Sequence, residues 1–253
     1  MSLTADDVDR FLVEGFVRLD GAVDAETARE CRDELWAATG YARDDRRTWT
    51  KTLVRIDAMG TPPFRAAANA PALLTAFDQL VGPGRWVPRT GLGTFPLRFP
   101  GGGEAREAGW HVEASFEGPD GGLRVNLHSR GRALLMLFLF SDVGEDDAPT
   151  LIRVGSHLDV APLLAPFGED GLDWMTLCQR ENQSSASRPV TAATGSIGDV
   201  YLCHPFLVHS GQAHRGTEPR FMAQPPLVPV GSLNLDSNKQ YPVGRAIRSA
   251  LGS

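Results

Sequence analysis

Hydrophobic positions recur with two different spacings along this chain of 253 residues, and the spacing changes near Gly84. In the helices predicted before Gly84, apolar residues return every three or four positions, which is typical of one face of an α-helix. After it, short apolar segments alternate with glycine and proline up to about residue 228, which is typical of β-strands joined by turns. The pattern predicts N-terminal helices over about 4–82, a β-rich core over about 90–228 and a tail over 229–253.

Three N-terminal helices are predicted from their apolar stripes and from the residues at their ends. The first follows Thr4, whose side chain can cap it, and ends at Gly15. The second covers Asp24–Ala38, where an apolar stripe has the helical period. The third covers Pro71–Val81, because proline suits the first helical turn and the run Gly82-Pro83-Gly84 stops a helix.

Short apolar segments predict the strands of the core. They are Thr94–Phe99, Gly109–Ala114, Arg124–His128, Leu134–Phe140, Leu151–Val154, Asp199–Cys203, Leu207–Ser210 and Arg220–Gln224. A further strand, Phe16–Leu19, is expected between the first two helices, and an insertion helix is expected near Leu172–Arg180. The tail either forms a short helix near Val243–Leu251 or is mobile. Many short strands with turn residues between them predict a sandwich or barrel, that is, a mainly β fold with flanking α-helices.

Length and charge narrow the class of protein. One domain over residues 1–253 is expected for a β-rich chain of this length, and 42% hydrophobic residues can form its core. The net charge is −6, from 25 basic and 31 acidic residues, and there is no basic block. This balance argues against a nucleic-acid partner.

Apolar runs and cysteines indicate where the protein works. The longest apolar run, Ala133–Phe140, is far too short to span a membrane and predicts a buried strand. The N-terminus lacks the basic and apolar segments of a signal peptide. Cys31, Cys178 and Cys203 are scattered and odd in number, which argues against a disulfide framework. A cytoplasmic protein with no membrane partner is therefore expected.

Candidate chemistry begins with His111 and Glu113, which lie two residues apart on a predicted strand. Alternate residues of a strand point the same way, so these two side chains can bind one metal ion together. A third ligand from a distant strand would leave three coordination positions open. Two histidines and one carboxylate in that arrangement suit non-haem Fe(II).

The distant ligand is expected to be His209, which precedes Arg220 by eleven residues. If the turn-rich segment Gln212–Pro219 folds back symmetrically, His209 and Arg220 face each other across antiparallel strands, roughly 5 Å apart at their β-carbons. The planar fork of Arg220 could then hold the carboxylate of an anionic co-substrate near the metal.

Other histidines are weaker candidates. His204 rivals His209, but a separation of five residues places the two on opposite faces of a regular strand unless Pro205 interrupts it. His209 is favoured because only it has the spacing to Arg220. For the remaining histidines, we expect a solvated strand face for His128, a turn at a strand end for His157 and a loop tip for His214.

These motifs resemble those of the phytanoyl-CoA dioxygenase family of Fe(II)- and 2-oxoglutarate-dependent oxygenases, over roughly residues 4–228. The similar segments are Thr4 to Leu19, Gly109 to Glu113, Arg153 to His157, and Gly198 to His209 with Arg220. The resemblance implies that His111, Glu113 and His209 bind iron and that Arg220 holds the far carboxylate of 2-oxoglutarate. It also implies a double-stranded β-helix, the jelly-roll barrel of cupin-like proteins.

Two positions depart from the family pattern. Glu113 stands where the family has aspartate, and its extra methylene moves the carboxylate oxygens outward by about 1 Å. Gly211 stands where relatives often have a hydroxyl residue beside the arginine, a role that Thr150 or Ser210 can take.

The expected function is an Fe(II)- and 2-oxoglutarate-dependent dioxygenase that uses O₂ to hydroxylate a small-molecule metabolite; desaturation and ring formation remain open. Glu113 favours two alternatives: a non-oxidative metal-binding jelly roll, such as a cupin-like isomerase or ligand binder, or an inactive relative. Arg98, Arg153 and Gln224 are candidates for the pocket mouth, although structural or exposed roles are favoured for each.

Overall fold

The computed structural model describes residues 2–101, 109–233, 235 and 241–252. Its helices are α1 (Ala5–Glu14), α2 (Ala25–Thr39), α3 (Pro62–Ala68), α4 (Pro71–Leu80), α5 (His157–Leu164), α6 (Trp174–Ser184) and α7 (Pro242–Ala250). Its strands are β1 (Phe16–Leu19), β2 (Leu53–Ile56), β3 (Phe95–Arg98), β4 (Phe116–Glu117), β5 (Leu123–Val125), β6 (Leu134–Leu139), β7 (Leu151–Arg153), β8 (Leu172–Asp173), β9 (Val190–Ala192), β10 (Val200–Cys203), β11 (His209–Ser210), β12 (Met222–Ala223) and β13 (Pro226–Leu227). The described part is a β-rich core with flanking helices, as the hydrophobic pattern predicts.

Local signals define the N-terminal helices. Thr4 caps α1 by accepting the Asp7 amide at 3.2 Å, while the Asp7 carboxylate accepts the Thr4 amide at 3.0 Å. Gly15 ends α1 with φ of +89°, and a β-carbon there would lie 2.5 Å from Nδ1 of His157. Asp24 caps α2 through the Thr27 amide at 2.9 Å. The predicted helices α1, α2 and α4 are confirmed to within two residues at each end.

The strands form four antiparallel groups. The largest sheet has the order β1-β10-β6-β12, and β13 also pairs with β6. A second sheet has the order β11-β7-β9, a third joins β2 to β3, and a fourth has the order β4-β5-β8. Among the described residues these groups do not close into one hydrogen-bonded barrel.

Strand β6 divides the hydrophobic core into two layers. Leu134 and Met136 belong to the larger layer, which also contains the buried faces of the helices. Leu135 and Leu137 belong to a smaller layer with Ile152 of β7. Both faces of β6 are therefore buried, which explains why its sequence is a continuous apolar run and not an alternating one.

Four predicted strands are wrong in extent. The predicted strand Gly109–Ala114 is absent, and within it only His111 forms a bridge, with His209. The predicted strands Arg124–His128, Leu207–Ser210 and Arg220–Gln224 shrink to β5, β11 and β12. Gly109–Ala114 is not a strand, because the main chain of its middle residue, Val112, hydrogen-bonds to side chains of α6 and not to a neighbouring strand.

Several helices differ from prediction for local reasons. The expected insertion helix forms as α6, which starts at Trp174 because Asp173 caps it through the Thr176 amide at 2.8 Å. Helices α3 and α5 were not predicted; α5 begins at His157, where a turn was expected, and Pro162 lies inside it. The tail forms helix α7, which packs against α1, α4 and α5. No helix of the described residues is both long and apolar enough to cross a membrane.

Candidate metal centre

Three side chains from two distant segments of the chain converge on one place. Ligand atoms of His111, Glu113 and His209 all lie within 4.8 Å of one another. Glu113 Oε1 is 3.5 Å from Nε2 of His209 and 4.0 Å from Nε2 of His111. Two imidazole nitrogens and one carboxylate that face a common point form the donor set predicted from the sequence.

Backbone pairing brings the two histidines together. The amide of His111 donates to the carbonyl of His209, and the amide of His209 donates to the carbonyl of His111, each at 2.9 Å. On its other side, β11 pairs with β7, with His209 opposite Ile152. His209 is thus fixed between two neighbours, one of which carries the other candidate histidine ligand.

The predicted pairing of His209 with Arg220 is wrong. Arg220 instead forms an antiparallel bridge with Arg98, with amide-to-carbonyl distances of 2.8 and 3.0 Å. The intervening loop does not fold back on itself, because Arg215 and Gly216 donate their amides to the Asp146 carbonyl at 2.8 and 2.7 Å. Strands β11 and β12 therefore belong to different sheets.

Arg220 nevertheless lines the same cavity as the three candidate ligands. That cavity has a volume of about 480 Å³. The Arg220 side chain is buried, and its guanidinium donates to the carbonyls of Ala148 and, at 3.0 Å, of Pro96. These two carbonyls orient a buried cation beside the candidate metal ligands.

Hydrogen bonds at Nδ1 orient both imidazoles. His111 Nδ1 lies 2.7 Å from the Gly109 carbonyl, and His209 Nδ1 lies 3.0 Å from the Leu207 carbonyl. A carbonyl only accepts, so Nδ1 carries the hydrogen and Nε2 keeps its lone pair. The Nε2 atom of His209 is buried and has no hydrogen-bond partner among the described residues. A buried lone pair of this kind fits a metal ligand, and the donor set fits Fe(II).

Glu113 stays ionised in this setting. Burial alone would raise the pKa of its carboxyl, but contact with His209, the charge of Arg132 and the nearby His111 lower that pKa to about 2. Arg132 Nη2 lies 3.8 Å from Glu113 Oε2. The site therefore offers a negatively charged oxygen to a cation.

Of the two hydroxyl residues proposed near the arginine, only Thr150 lines the cavity in the described structure. Thr150 is buried, and its hydroxyl is 3.9 Å from the sulfur of Met222, a weak contact. The Ser210 hydroxyl instead donates to the Gly211 carbonyl at 3.0 Å. The Thr150 hydroxyl can therefore turn toward a ligand and lose only this weak contact.

The three residues considered for the pocket mouth have different positions. Arg98 and Gln224 line the cavity. Arg153 has the structural role that was favoured for it. Its guanidinium lies over the Trp110 ring, 4.4 Å from the centroid, and donates to the Ser185 hydroxyl at 2.9 Å.

Residues of α6 were missed by the sequence reasoning. Trp174, Met175 and Cys178 line the cavity, and Glu181 lies buried behind it, where burial raises its pKa to about 7. A weak signal was available, because Trp174, Leu177 and Glu181 have the spacing of one helical face. An acidic residue on an apolar face indicates a buried polar contact.

His204 lies outside the cluster. Its Nε2 donates to the Val243 carbonyl at 3.2 Å, and its Nδ1 accepts the Phe206 amide at 3.1 Å. Both nitrogens are thus engaged, and the ring packs 4.8 Å from that of His157. His204 is thus not one of the three converging residues, and the choice of His209 as the ligand stays a prediction.

Three other histidines differ from their predicted settings. His157 begins α5, is buried and donates from Nε2 to the Leu12 carbonyl at 3.1 Å. His214 is buried and not exposed at a loop tip, because the loop around it is anchored to the segment containing Asp146. His128 lies beyond β5, half-buried, with Nδ1 3.1 Å from the Leu233 carbonyl.

Comparison with protein families identifies the chain. The model of the phytanoyl-CoA dioxygenase (PhyH) family matches residues 11–222. The chain belongs to this family, so the resemblance seen in the motifs is confirmed. A search of curated proteins finds no match.

Solved structures with a similar fold include three enzymes. The α-ketoglutarate-dependent carbocyclase SnoK from nogalamycin biosynthesis is 16% identical, covers 88% of this chain and 83% of its own, and has a TM-score of 0.60. HygX from Streptomyces hygroscopicus, solved with nickel and 2-oxoglutarate bound, is 17% identical with coverages of 88% and 86% and a TM-score of 0.57. The epimerase SnoN is 18% identical with coverages of 87% and 79% and a TM-score of 0.55. At these identities the likeness concerns the fold.

Proposed function

We propose that this protein is a non-haem Fe(II)- and 2-oxoglutarate-dependent dioxygenase that hydroxylates a small-molecule metabolite. The observation that carries the proposal is the convergence of His111, Glu113 and His209 on a cavity also lined by the buried Arg220. Membership of the PhyH family supports it.

In this proposal His111, Glu113 and His209 hold the iron. Main-chain carbonyls set the orientations of both imidazole rings, and Glu113 brings one negative charge. Bound iron would supply the activation of O₂, which protein side chains cannot perform. The chain itself positions the ligands.

Arg220 and Thr150 are proposed to hold 2-oxoglutarate, Arg220 by a charged interaction with the far carboxylate and Thr150 by its hydroxyl. Arg220 is buried, so an ion pair with it would gain strength from the low local dielectric. HygX and SnoN are neighbours whose structures contain 2-oxoglutarate or α-ketoglutarate.

The proposal for the substrate rests on the cavity. A volume of about 480 Å³ is in the range of small-molecule sites. Structures of SnoN and HygX contain nogalamycin RO and hygromycin B, respectively. We propose hydroxylation in preference to epimerisation or ring closure, although SnoN is an epimerase and SnoK a carbocyclase.

We also propose the finer architecture and setting. The β-rich core is proposed to be a double-stranded β-helix within one domain over residues 1–253. The cytoplasm is proposed as the location, because all three cysteines are free in the structure.

A non-oxidative metal-binding protein is the second candidate. Glu113, in place of the aspartate usual in the family, is the observation that favours it. Succinate release in air, screened over candidate metabolites with Fe(II) and 2-oxoglutarate, separates the two. Substrate-dependent succinate that disappears in His209→Ala supports the oxygenase. Stoichiometric iron with no succinate for any metabolite, and none without substrate, supports the second candidate.

A further inference from the structure

The segment that carries two of the candidate ligands has little support from a sheet. His111 is bridged to His209, but Val112 and Glu113 belong to no strand. Val112 is fully buried, so its amide and carbonyl need partners inside the protein. Ordinary strand pairing does not supply those partners.

Helix α6 supplies both. The Val112 amide donates to Glu181 Oε1 at 2.8 Å. The Val112 carbonyl accepts from Nε1 of Trp174 at 2.6 Å. One residue between two candidate ligands is therefore held from both sides by side chains of a single helix.

The geometry of α6 fixes the positions of Trp174 and Glu181. Trp174 and Glu181 are seven residues apart, close to two helical turns, so they share a face. The Asp173 cap defines the start of the helix, and Arg153 holds its other end by donating to the carbonyl of Asn182 at 3.2 Å. Glu181 is fully buried, so its position is determined by packing as well as by the hydrogen bond.

We propose that Trp174 and Glu181 are positioning residues, which clamp Val112 and thereby set the distance and direction between the His111 and Glu113 side chains. The proposal rests on the proposed function in so far as those two side chains hold a metal ion. Val112 separates them by a single residue, so a shift of its peptide groups moves both. Partners of ligand residues commonly change metal affinity by about 10- to 100-fold when removed.

Three variants separate clamping from simple burial. Glu181→Leu replaces the accepting carboxyl group by an apolar side chain of similar size. Glu181→Gln retains an oxygen that can accept the Val112 amide. Trp174→Phe removes the indole N–H but keeps a ring beside His111, whose ring centroid lies 6.3 Å away at an interplanar angle of 90°.

Two matched controls come from elsewhere in the chain. Gln179→Ala changes an exposed side chain of α6 itself. Trp86→Phe removes a different indole hydrogen bond, from Nε1 to Asp78 at 2.8 Å, that lies outside the cavity lining. Effects specific to the clamp should be absent from both.

The experiment measures Co(II) affinity by calorimetry, the visible spectrum of the Co(II) protein and hydrogen exchange of the Val112 amide. We expect Glu181→Leu and Trp174→Phe to weaken Co(II) binding by about 10-fold or more and to alter the spectrum. Exchange of the Val112 amide should accelerate in Glu181→Leu. Glu181→Gln and both controls should resemble wild type.

The outcomes distinguish the clamp from the metal site. Wild-type Co(II) affinity and spectrum in both Glu181→Leu and Trp174→Phe would overturn the positioning role. If Glu181→Leu does not fold, Trp174→Phe against Trp86→Phe decides the same question. A wild-type protein that binds no Co(II) would overturn the proposed metal site and with it the positioning role, whereas loss of binding confined to the clamp variants leaves the metal site intact.

Discussion

His111 and His209 hydrogen-bond to each other through both main-chain groups, and their ring centroids lie 4.5 Å apart. The pairing forces two residues almost one hundred positions apart in the sequence to present their imidazoles to one point. Glu113 completes the group from the segment that carries His111.

Removal of either histidine should abolish metal binding. His111→Ala or His209→Ala removes one of three donors, so stoichiometric Fe(II) binding should be lost while the far-ultraviolet circular dichroism stays native. His204→Ala is the comparison, because both nitrogens of His204 already bind main-chain groups. It should lose stability but retain iron, as measured by metal analysis after anaerobic loading. Iron lost from His204→Ala and kept in His209→Ala would reverse the assignment.

The glutamate at position 113 should bind Fe(II) better than an aspartate would. Its nearest oxygen lies 3.5 and 4.0 Å from the two Nε2 atoms, wider than the roughly 3 Å between adjacent donors on a metal with bonds of about 2.1 Å. The shorter side chain in Glu113→Asp must retreat further, so it should bind Fe(II) more weakly than wild type, and Glu113→Ala should lose it. Titration of all three, with exposed Glu117→Ala as control, gives the answer. Equal affinities would remove Glu113 from the metal site.

Arg220→Lys should weaken 2-oxoglutarate binding without changing metal content. Arginine can donate to Ala148, Pro96 and a ligand together, whereas a lysine ammonium cannot reproduce that fork. Loss of one charge-assisted hydrogen bond corresponds to about 1.5–3 kcal/mol, or roughly 10- to 100-fold in affinity. Isothermal titration of the metal-loaded variant measures the change. An unaltered dissociation constant would place the carboxylate elsewhere.

The buried His157 should make the fold sensitive to acid. Burial lowers its pKa from an ordinary 6.5 to about 4. Between those values the unfolded chain binds a proton that the folded chain does not, so the free energy of unfolding falls as pH drops below about 6.5 and is fully retained above it. The loss amounts to about 3 kcal/mol by pH 4.

Denaturant unfolding of wild type and His157→Gln at pH 7.5 and pH 5 tests this. The variant should be less stable at pH 7.5 because the bond to the Leu12 carbonyl is altered, but its stability should change less between the two pH values. His204, whose pKa burial also lowers, contributes a remaining dependence of the same sign. Identical pH dependence in both proteins would contradict the prediction.

Helix caps and apolar patterns predicted the helices and strands whose formation depends on neighbouring residues in the sequence. The cap at Thr4 defined α1, the apolar stripe over Asp24–Ala38 defined α2, and the apolar run of β6 defined a buried strand. His111 and Glu113 do lie at one place, as predicted, but the strand on which that prediction was based does not form.

Contacts between distant segments were beyond the sequence. The eleven-residue spacing suggested that His209 faces Arg220, but the loop between them binds Asp146 and each flank pairs elsewhere. The grip of α6 on Val112 was also hidden, because Glu181 lies 69 residues away and no periodic pattern links it to that amide. Such contacts depend on how whole elements pack.

Anaerobic titration of the Fe(II)-loaded protein with 2-oxoglutarate tests the central claim most directly. Chelation of the keto acid by iron at this site should produce a weak, saturable visible charge-transfer band in wild type. The band should be absent from His209→Ala and should require higher 2-oxoglutarate concentrations in Arg220→Lys. No band in wild type at saturating iron and 2-oxoglutarate, or an undiminished band in His209→Ala, would contradict the account.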